Sequence, residues 1–561
     1  MTLRGICNAL FLLAVAAFLP LAGFAADSAD SGEFAYFPIR GAAQGFKWHK
    51  KLTDEPGLIE QARQMLDIGC DAFKTMVGPD VGGKGYRDVY PDMPELPREK
   101  KNSMVRLVQN TPTYQEFFDL PFKFFVIWAW PTNDITFSWD WEQATFDEEY
   151  QQLYDFTRYL METYQGTGKV FLLGNWETDH VLMSGLDQVA DPKVQPSQER
   201  LEYLRRWLNN RQKAVEDGRN SLPEIEGVEV YHYVEVITIQ PVIEDPTLMR
   251  VVNGVLPYIR MDLVSNSAYN STNHTSDLPQ RVYDHMDCIL KNAEKSLTGA
   301  WPYGPPVFIS EFGIPGGYTP QKGARNREAL KACAGWGSVI NLFWEVYSQT
   351  PDNTDSALFQ SDGTPNGNYE MLRDFNFRMH TLKNARRVWC RRNPTEQEAN
   401  NQARLYDTLT NADILRDSIN LSSEIMSDEE FLKTLFTDLR LGDQIGQSWY
   451  QELLAKLARA DLQYGYNTRY ATLGAILDSD LFAAAVPQEE FAAYLTRRVI
   501  NQPVELPDLG RRDLYEWALN HPGFDRGNLE YRLANNVPDS LRDKYSLKLQ
   551  QFQEGSEHEN H

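Results

Sequence analysis

Two glutamates end short apolar runs, and their positions suit acid/base or nucleophilic chemistry. Glu177 closes the run KVFLLGNWE, and Glu311 lies near the end of PVFISEFG. Alternate side chains of a strand share one face, so Asn175 and Glu177 would stand above the apolar Leu173 on one face of the first run. A carboxylate at that depth must be paired, hydrogen-bonded or shifted in pKa, and each condition favours a chemical role.

The segments that must position these residues alternate between strand-like and helical patterns from about residue 35 to residue 385. Eight apolar runs rich in Val, Ile and Phe predict the strands of repeated β/α units in a parallel sheet. Eight consecutive units predict a closed (β/α)8 barrel, in which chemistry lies at the carboxyl ends of the strands. The predicted strands begin at Ala35, Asp71, Phe122, Lys169, Val228, Met261, Pro306 and Ser338. The clearest helical segments between them are Leu58–Leu66, Phe146–Tyr164, Ser197–Val215, Gln280–Leu297 and Gly323–Ala334.

Two glutamates that face each other across a barrel mouth are the pair that glycosidic cleavage requires. One supplies a proton to the leaving oxygen, and the other acts in its ionised form at the anomeric carbon. FLLGNWE and VFISEFG resemble strands 4 and 7 of the clan of (β/α)8-barrel retaining glycoside hydrolases that includes cellulases and mannanases. The resemblance covers about residues 35 to 385. It implies that Glu177 is the acid/base and Glu311 the nucleophile.

Further positions match the clan in part and give candidate substrate-binding residues. The clan usually has a Tyr after strand 6 that touches the nucleophile, and Tyr269 ends the run SNSAY. It usually has a Trp on strand 8 beneath the sugar, where Trp344 is available, because an aromatic face stacks on the apolar face of a sugar ring. Trp128 and Trp130 on strand 3 would extend that platform. Packing inside the barrel is the alternative for all three Trp side chains.

The acid/base strand departs from the clan pattern. The clan has Asn directly before this Glu, whereas Trp176 separates Asn175 from Glu177 here. We therefore expect Asn175 to bind substrate from a different position.

Strands 2, 3 and 5 also depart from the pattern. Lys74 lies where many members have Arg, and the strand-3 His is absent; Lys lacks the planar fork of Arg, so substrate contacts must differ. On strand 5, His232 and Glu235 are three residues apart, so their side chains point to opposite faces of a regular strand and cannot both point into the barrel. Glu235, which is nearer the mouth, is the candidate for substrate binding. A structural role is nevertheless the favoured interpretation for Lys74, His232, Glu235 and Glu345.

Charge and cysteine content exclude several classes of function. The formal net charge of -23 over 561 residues opposes binding to nucleic acid, which requires clustered Lys and Arg. The cysteines after the first are isolated, without CxxC spacing or a His at metal-site intervals. We expect buried thiols, or at most one or two disulfides, and neither a metal nor an organic cofactor. These cysteines are Cys70, Cys288, Cys333 and Cys390.

The amino terminus has the layout of a secretory signal peptide. Arg4 precedes an apolar run from Ala9 to Leu19, and small residues follow to Ala25. This pattern predicts a signal peptide over residues 1–25. The apolar run is too short to span a bilayer comfortably. We expect a secreted or periplasmic protein without membrane insertion.

The pattern changes after the barrel, which we assign to residues 35–392. Strand-like runs end there, and the spacing of Phe431, Leu435, Phe436 and Leu439 predicts one face of a helix. Further helical runs predict a smaller all-α C-terminal module over residues 403–540. The polar residues 541–561 are predicted to be a disordered tail.

The sequence thus predicts an exported retaining O-glycosidase that hydrolyses a polysaccharide or oligosaccharide. The first alternative is a carbohydrate-binding barrel without turnover. It is supported by the departures from the clan pattern, namely the Asn-Trp-Glu order on strand 4, the missing Arg on strand 2 and the missing His on strand 3. The second is a scaffold whose C-terminal helical module binds a protein or a surface. Sugar, linkage, endo or exo action and oligomeric state depend on loops and assembly, which the pattern does not fix.

Overall fold

The chain forms a closed barrel of parallel strands. The computed structural model describes residues 36–520 apart from 79–85, 133–137, 187–190, 192, 274–275, 352–355, 439–449, 456, 458–467, 496–506 and 508. Within these residues, eight strands pair in sequential order, and the last pairs with the first. The predicted (β/α)8 fold is confirmed. The strands are β1 Arg40–Gln44, β2 Ala72–Val77, β3 Phe124–Ala129, β4 Lys169–Gly174, β5 Val228–Val236, β6 Leu263–Ser267, β7 Val307–Phe312 and β8 Ile340–Phe343.

The strands are shorter than their apolar runs. The first run was predicted as a strand from Ala35, but β1 begins only at Arg40. Pro38 lies between the two and has no N–H to donate to a strand ladder, which accounts for the late start. At the other end of the barrel sequence, β8 stops at Phe343, so Trp344 follows the strand instead of lying within it.

Amphipathic helices cover the barrel from outside. In the helix Gln143–Tyr164, the buried side chains Phe146, Leu153 and Leu160 recur at helical spacing. Ser197 caps the next long helix, since its side chain accepts the N–H of Arg200. The helices up to residue 390 are Gly57–Asp67, Tyr86–Val89, Met104–Gln109, Pro112–Asp119, Gln143–Tyr164, Thr178–Leu182, Gln198–Asn220, Gln240–Glu244, Val251–Gly254, Tyr269–Thr272, Leu278–Ala293, Pro320–Trp336 and Gly367–Cys390.

The described chain after residue 392 is helical, and it packs directly on the barrel's outer helices. Arg386, on the last of these, is almost fully buried and binds Glu398, Asp417 and Ser418 at 2.8, 2.6 and 2.5 Å. This network joins the barrel to the helices that follow it. The boundary between the two parts stays a prediction. Among the described residues, the C-terminal helices include Glu396–Arg404, Asn411–Leu421, Asp428–Asp438, Thr468–Leu477, Asp480–Ala485, Gln488–Tyr494 and Arg511–Asn520.

The first strand is also tied to this region. Arg40 is buried, and its Nη1 donates to the carbonyl of Ala334 and to Oδ1 of Asn400, both at 2.6 Å. Asn400 belongs to the helix Glu396–Arg404. The amino end of β1 is therefore held from outside the barrel.

Several predictions from the sequence concern the ends of the chain. The signal peptide (1–25) and the polar tail (541–561) lie outside the described residues, as does Leu439. Phe431, Leu435 and Phe436 are buried together, as their spacing predicted.

Among the described helices, none is long and apolar enough to cross a membrane. The cysteines at 70, 288, 333 and 390 are free thiols.

Candidate active site

Glu311 lies near the carboxyl end of β7, where side chains from two other parts of the barrel hold its carboxylate. Lys74 on β2 donates from Nζ to Oε1 at 3.0 Å. Tyr269, just after β6, donates from its hydroxyl to Oε2, also at 3.0 Å. Glu311 is only 3% exposed. Both carboxylate oxygens are therefore oriented by donors, an arrangement that suits a nucleophile.

Glu177 lies in the turn between β4 and the helix Thr178–Leu182. Ser267 donates from Oγ to Oε1 at 2.7 Å, and the Nε2 atom of His180 lies 2.7 Å from Oε2. The backbone φ of Glu177 is 21°, a sparsely populated conformation for a residue with a side chain, and such conformations concentrate at functional sites. The carboxylate is thus fixed on both oxygens.

A third glutamate, Glu235 on β5, connects the other two. Its Oε1 accepts the backbone N–H of Glu177 at 3.2 Å. Its Oε2 accepts Nζ of Lys74 at 3.2 Å and Nε1 of Trp128 at 3.3 Å. Because Lys74 also binds Glu311, the structure brings all three glutamates into one hydrogen-bonded group at the mouth of the barrel. We call Glu177, Glu235, Glu311 and Lys74 the carboxylate cluster.

Burial and mutual repulsion raise the pKa values of two glutamates in the carboxylate cluster, Glu235 and Glu311. Burial raises the pKa of Glu311; the ammonium of Lys74 opposes this rise, and the charges of Glu235 and Glu177 reinforce it. Burial likewise raises the pKa of Glu235 against the effect of Lys74. Burial and the charge of Glu311 raise the pKa of Tyr269 well above its usual value, so its hydroxyl stays a donor. No group of three or more described His, Cys, Asp or Glu side chains could hold a metal ion.

Two of the predicted tryptophans belong to one aromatic group at the mouth. The ring of Trp128 lies 4.0 Å from Nζ of Lys74 and stacks on Phe46 at 4.8 Å, and it is 4% exposed. Trp344 tilts against the same Phe46 at 5.6 Å but is only half-buried. The peptide bond between Trp344 and Glu345 is cis. Of the two indoles, Trp344 has more free ring surface to offer a ligand.

Two other predicted residues lie outside this group. Asn175 is fully buried, and its Nδ2 donates to Thr178 Oγ1 at 2.9 Å and to the carbonyl of Trp176 at 3.1 Å. It holds the turn after β4 together. Trp130 stacks on Trp207 of the outer helix Gln198–Asn220 at 6.5 Å, in the layer between strands and helices.

Two residues that bind the glutamates, His180 and Ser267, were not predicted from the sequence, and Lys74 was named there with a structural role as the favoured interpretation. A signal existed for Lys74, because a lysine inside a fully buried strand requires a carboxylate partner. His180 follows Glu177 at i,i+3 spacing, which lets a side chain in the first turn of the helix Thr178–Leu182 reach the residue that precedes the helix. Ser267 carried no such signal. On β5, Glu235 joins the cluster, whereas the buried His232 lies near Arg211 of the outer helix.

Comparisons with known proteins give distant structural similarity. No family model matches the chain. No curated protein matches it either. A GH5_18 protein from Streptomyces cattleya in complex with GlcNAc is 11% identical, with a TM-score of 0.37 over 61% of this chain and 81% of that one. A GH5_18 protein from Bifidobacterium longum subsp. infantis is 12% identical, with a TM-score of 0.38 over 60% and 79%.

A third similar structure is the GH5-4 broad specificity endoglucanase from Bacteroides salanitronis. It is 12% identical, with a TM-score of 0.35 over 64% of this chain and 99% of that one. At such low values, similarity alone assigns neither a family nor an activity to this chain.

Proposed function

We propose that the protein is an exported retaining O-glycosidase that hydrolyses a polysaccharide or oligosaccharide. Glu177 acts as acid/base and Glu311 as nucleophile. One observation carries the proposal: Glu177, after β4, and Glu311, near the end of β7, lie close enough for the charge of one carboxylate to act on the other, and Glu235 and Lys74 bind next to both. Two carboxyl groups at a common site are what glycosidic cleavage requires.

The proposed reaction has two steps. In the first, Glu311 attacks the anomeric carbon while Glu177 gives a proton to the departing oxygen. In the second, Glu177 takes a proton from the water that attacks the anomeric carbon, and the bond to Glu311 breaks. Lys74 and Tyr269 hold the oxygens of Glu311, so the nucleophile is oriented before the sugar binds.

The surroundings of the cluster suggest how a sugar is bound. Trp344 is the proposed stacking platform, because it retains ring surface beside the glutamates. Trp128 is almost covered by Lys74 and Phe46 and acts instead by orienting Glu235. The cluster has three glutamates and one ammonium, so its ionised state, in which Glu311 acts as nucleophile, disfavours anionic sugars. We propose a neutral glycan as substrate.

A glycan panel with product analysis tests the proposed function. The unaltered protein should release reducing ends from at least one glycan. Glu311→Ala should abolish formation of the covalent glycosyl-enzyme, which mass spectrometry detects with a slow substrate. Glu177→Ala should retain activity on glycosides whose leaving group needs no protonation. If both variants cleave an activated glycoside as well as the parent does, the hydrolase proposal is wrong.

One observation favours a second candidate, a carbohydrate-binding barrel without turnover. Asn175 is fully buried and its amide group bonds within its own turn, so it is not presented to a sugar hydroxyl. Binding of a glycan without release of reducing ends, across the whole panel, would favour this candidate.

A further inference from the structure

His180 connects the acid/base candidate to solvent. Its Nε2 lies 2.7 Å from Glu177 Oε2, and its side chain is 53% exposed whereas that of Glu177 is 6% exposed. The imidazole stacks on the indole of Trp176 at 5.2 Å, with 25° between the rings. The ring is thus held in one orientation, with one nitrogen on the carboxylate and much of its surface in water.

The hydrogen bonds of Glu177 indicate which member of the Glu177–His180 pair holds the proton before the reaction. Ser267 donates its hydroxyl proton to Oε1, and a protonated His180 donates to Oε2. With a donor on each oxygen, this arrangement suits the ionised carboxylate, which only accepts hydrogen bonds. An acid that must protonate a leaving group then needs a nearby proton source.

We propose that His180 is a positioning residue that stores the proton Glu177 delivers to the leaving group. This inference rests on the proposed function and extends it. In the first step, the proton on Nε2 passes to Glu177 as the bond between the anomeric carbon and the leaving oxygen breaks, and Glu177 protonates that oxygen. In the second step, Glu177 takes a proton from the attacking water and returns it to the neutral imidazole. No other reactant is needed, and the charge of the pair is restored after each cycle.

The charges around His180 favour this role. The hydrogen bond and charge of Glu177 raise the pKa of His180, although burial opposes this rise. The charges of Asp179 and Glu311 raise the same pKa further. Asp179 is itself engaged by three backbone N–H groups, which leaves Glu177 as the partner of the imidazole. The charged groups next to the helix Thr178–Leu182 are Glu177, Asp179, Glu235, Glu311, Arg200 and Arg250.

Kinetics of His180→Gln in the full-length protein test the proposal. Gln retains an N–H donor for Glu177 but cannot hold the extra proton. With phenyl glycosides of a sugar that the panel identifies, we expect kcat/KM to fall on the order of 10-fold or more. With the 2,4-dinitrophenyl glycoside, whose leaving group needs no proton, the change should stay below about threefold. Imidazole added to His180→Ala should restore part of the phenyl glycoside activity. The matched control is His49→Gln, at an exposed histidine.

Equal losses on both glycosides, or no loss on either, would overturn the proposal while leaving the glycosidase assignment intact. A separate measurement does not depend on activity. NMR titration should give His180 a pKa above the ordinary histidine value, and Glu177→Gln should lower it. An unchanged His180 titration in Glu177→Gln refutes the pairing, whether or not a substrate is known. If the unaltered protein cleaves no glycan, the proposed function falls, and the titration alone decides whether the pair exists.

Discussion

Lys74 offers the most direct test of how the site works. Its ammonium is fully buried, 3.0 Å from a Glu311 oxygen and 3.2 Å from a Glu235 oxygen. At an effective dielectric constant of 20, attraction over these distances amounts to about 5 kcal/mol for each pair. Lys74→Met removes this attraction while keeping a long apolar side chain. The two glutamates would then face each other without a cation.

Two consequences of Lys74→Met can be measured. The pKa of Glu311 should rise further, by about 1 to 3 units, so the acid limb of kcat/KM moves to higher pH. Stability should also become more dependent on pH. A carboxyl group with a raised pKa in the folded state contributes stability below its unfolded pKa, and this stability is lost as pH rises through the folded value. Because the pKa of Glu311 in the parent is already about 8, the additional loss appears above that pH: the variant should be about 1 to 3 kcal/mol less stable than the parent near pH 10, with a smaller difference near pH 5.

Urea unfolding and pH–rate profiles of Lys74→Met supply the assay, with Lys74→Met/Glu235→Gln as the matched control. The double variant removes one of the two carboxylates left without a cation, so it should recover part of the stability lost near pH 10. Its acid limb should lie between those of the single variants. If Lys74→Met has the parent's acid limb and the parent's pH dependence of unfolding, Lys74 does not govern the charge of Glu311, and our account of the cluster is wrong.

Three further predictions concern Trp344, Glu235 and Arg386. Trp344→Ala should reduce kcat/KM by an amount equivalent to about 1 to 3 kcal/mol, through lost stacking on the sugar; unchanged kinetics in a folded variant would assign Trp344 a packing role. Glu235→Gln removes a negative charge that raises the pKa of Glu311, so the acid limb of kcat/KM should move to lower pH, opposite to Lys74→Met. Arg386→Met should lower the free energy of unfolding by about 1 to 3 kcal/mol, because it removes the hydrogen bonds of a buried guanidinium to Glu398, Asp417 and Ser418; a urea midpoint equal to the parent's would contradict this.

The barrel could be predicted from the sequence because its signal is local. Each strand buries both faces, so runs such as FFVIWA are continuously apolar, and the helices between them have a different period. The positions of Glu177 and Glu311 at the carboxyl ends of β4 and β7 could be predicted for the same reason, since each lies at the end of such a run. The start of β1 was missed because a single residue, Pro38, outweighs the apolar composition around it.

The contacts of the site were harder to predict because they join distant strands. Lys74 binds Glu235 and Glu311, which lie 161 and 237 residues away in the sequence. No sequence pattern within β2 identifies those partners. Asn175 shows the opposite limitation. The alternation of side chains along strand 4 predicted that Asn175 faces the barrel mouth. In the structure, its side-chain amide donates instead to Thr178 and to the carbonyl of Trp176 in the turn that follows β4.

The bond between Arg40 and Asn400 has a consequence for the order of folding during synthesis. The first strand pairs with β8 and is also held by a side chain 360 residues further along the chain. Until that residue has left the ribosome, the buried guanidinium of Arg40 lacks this acceptor, although β8 is already available to pair with β1. Contacts of such long sequence separation form slowly. We therefore expect the closed barrel to reach its full stability only after the helix Glu396–Arg404 has been synthesised, because this helix supplies the Asn400 acceptor for Arg40.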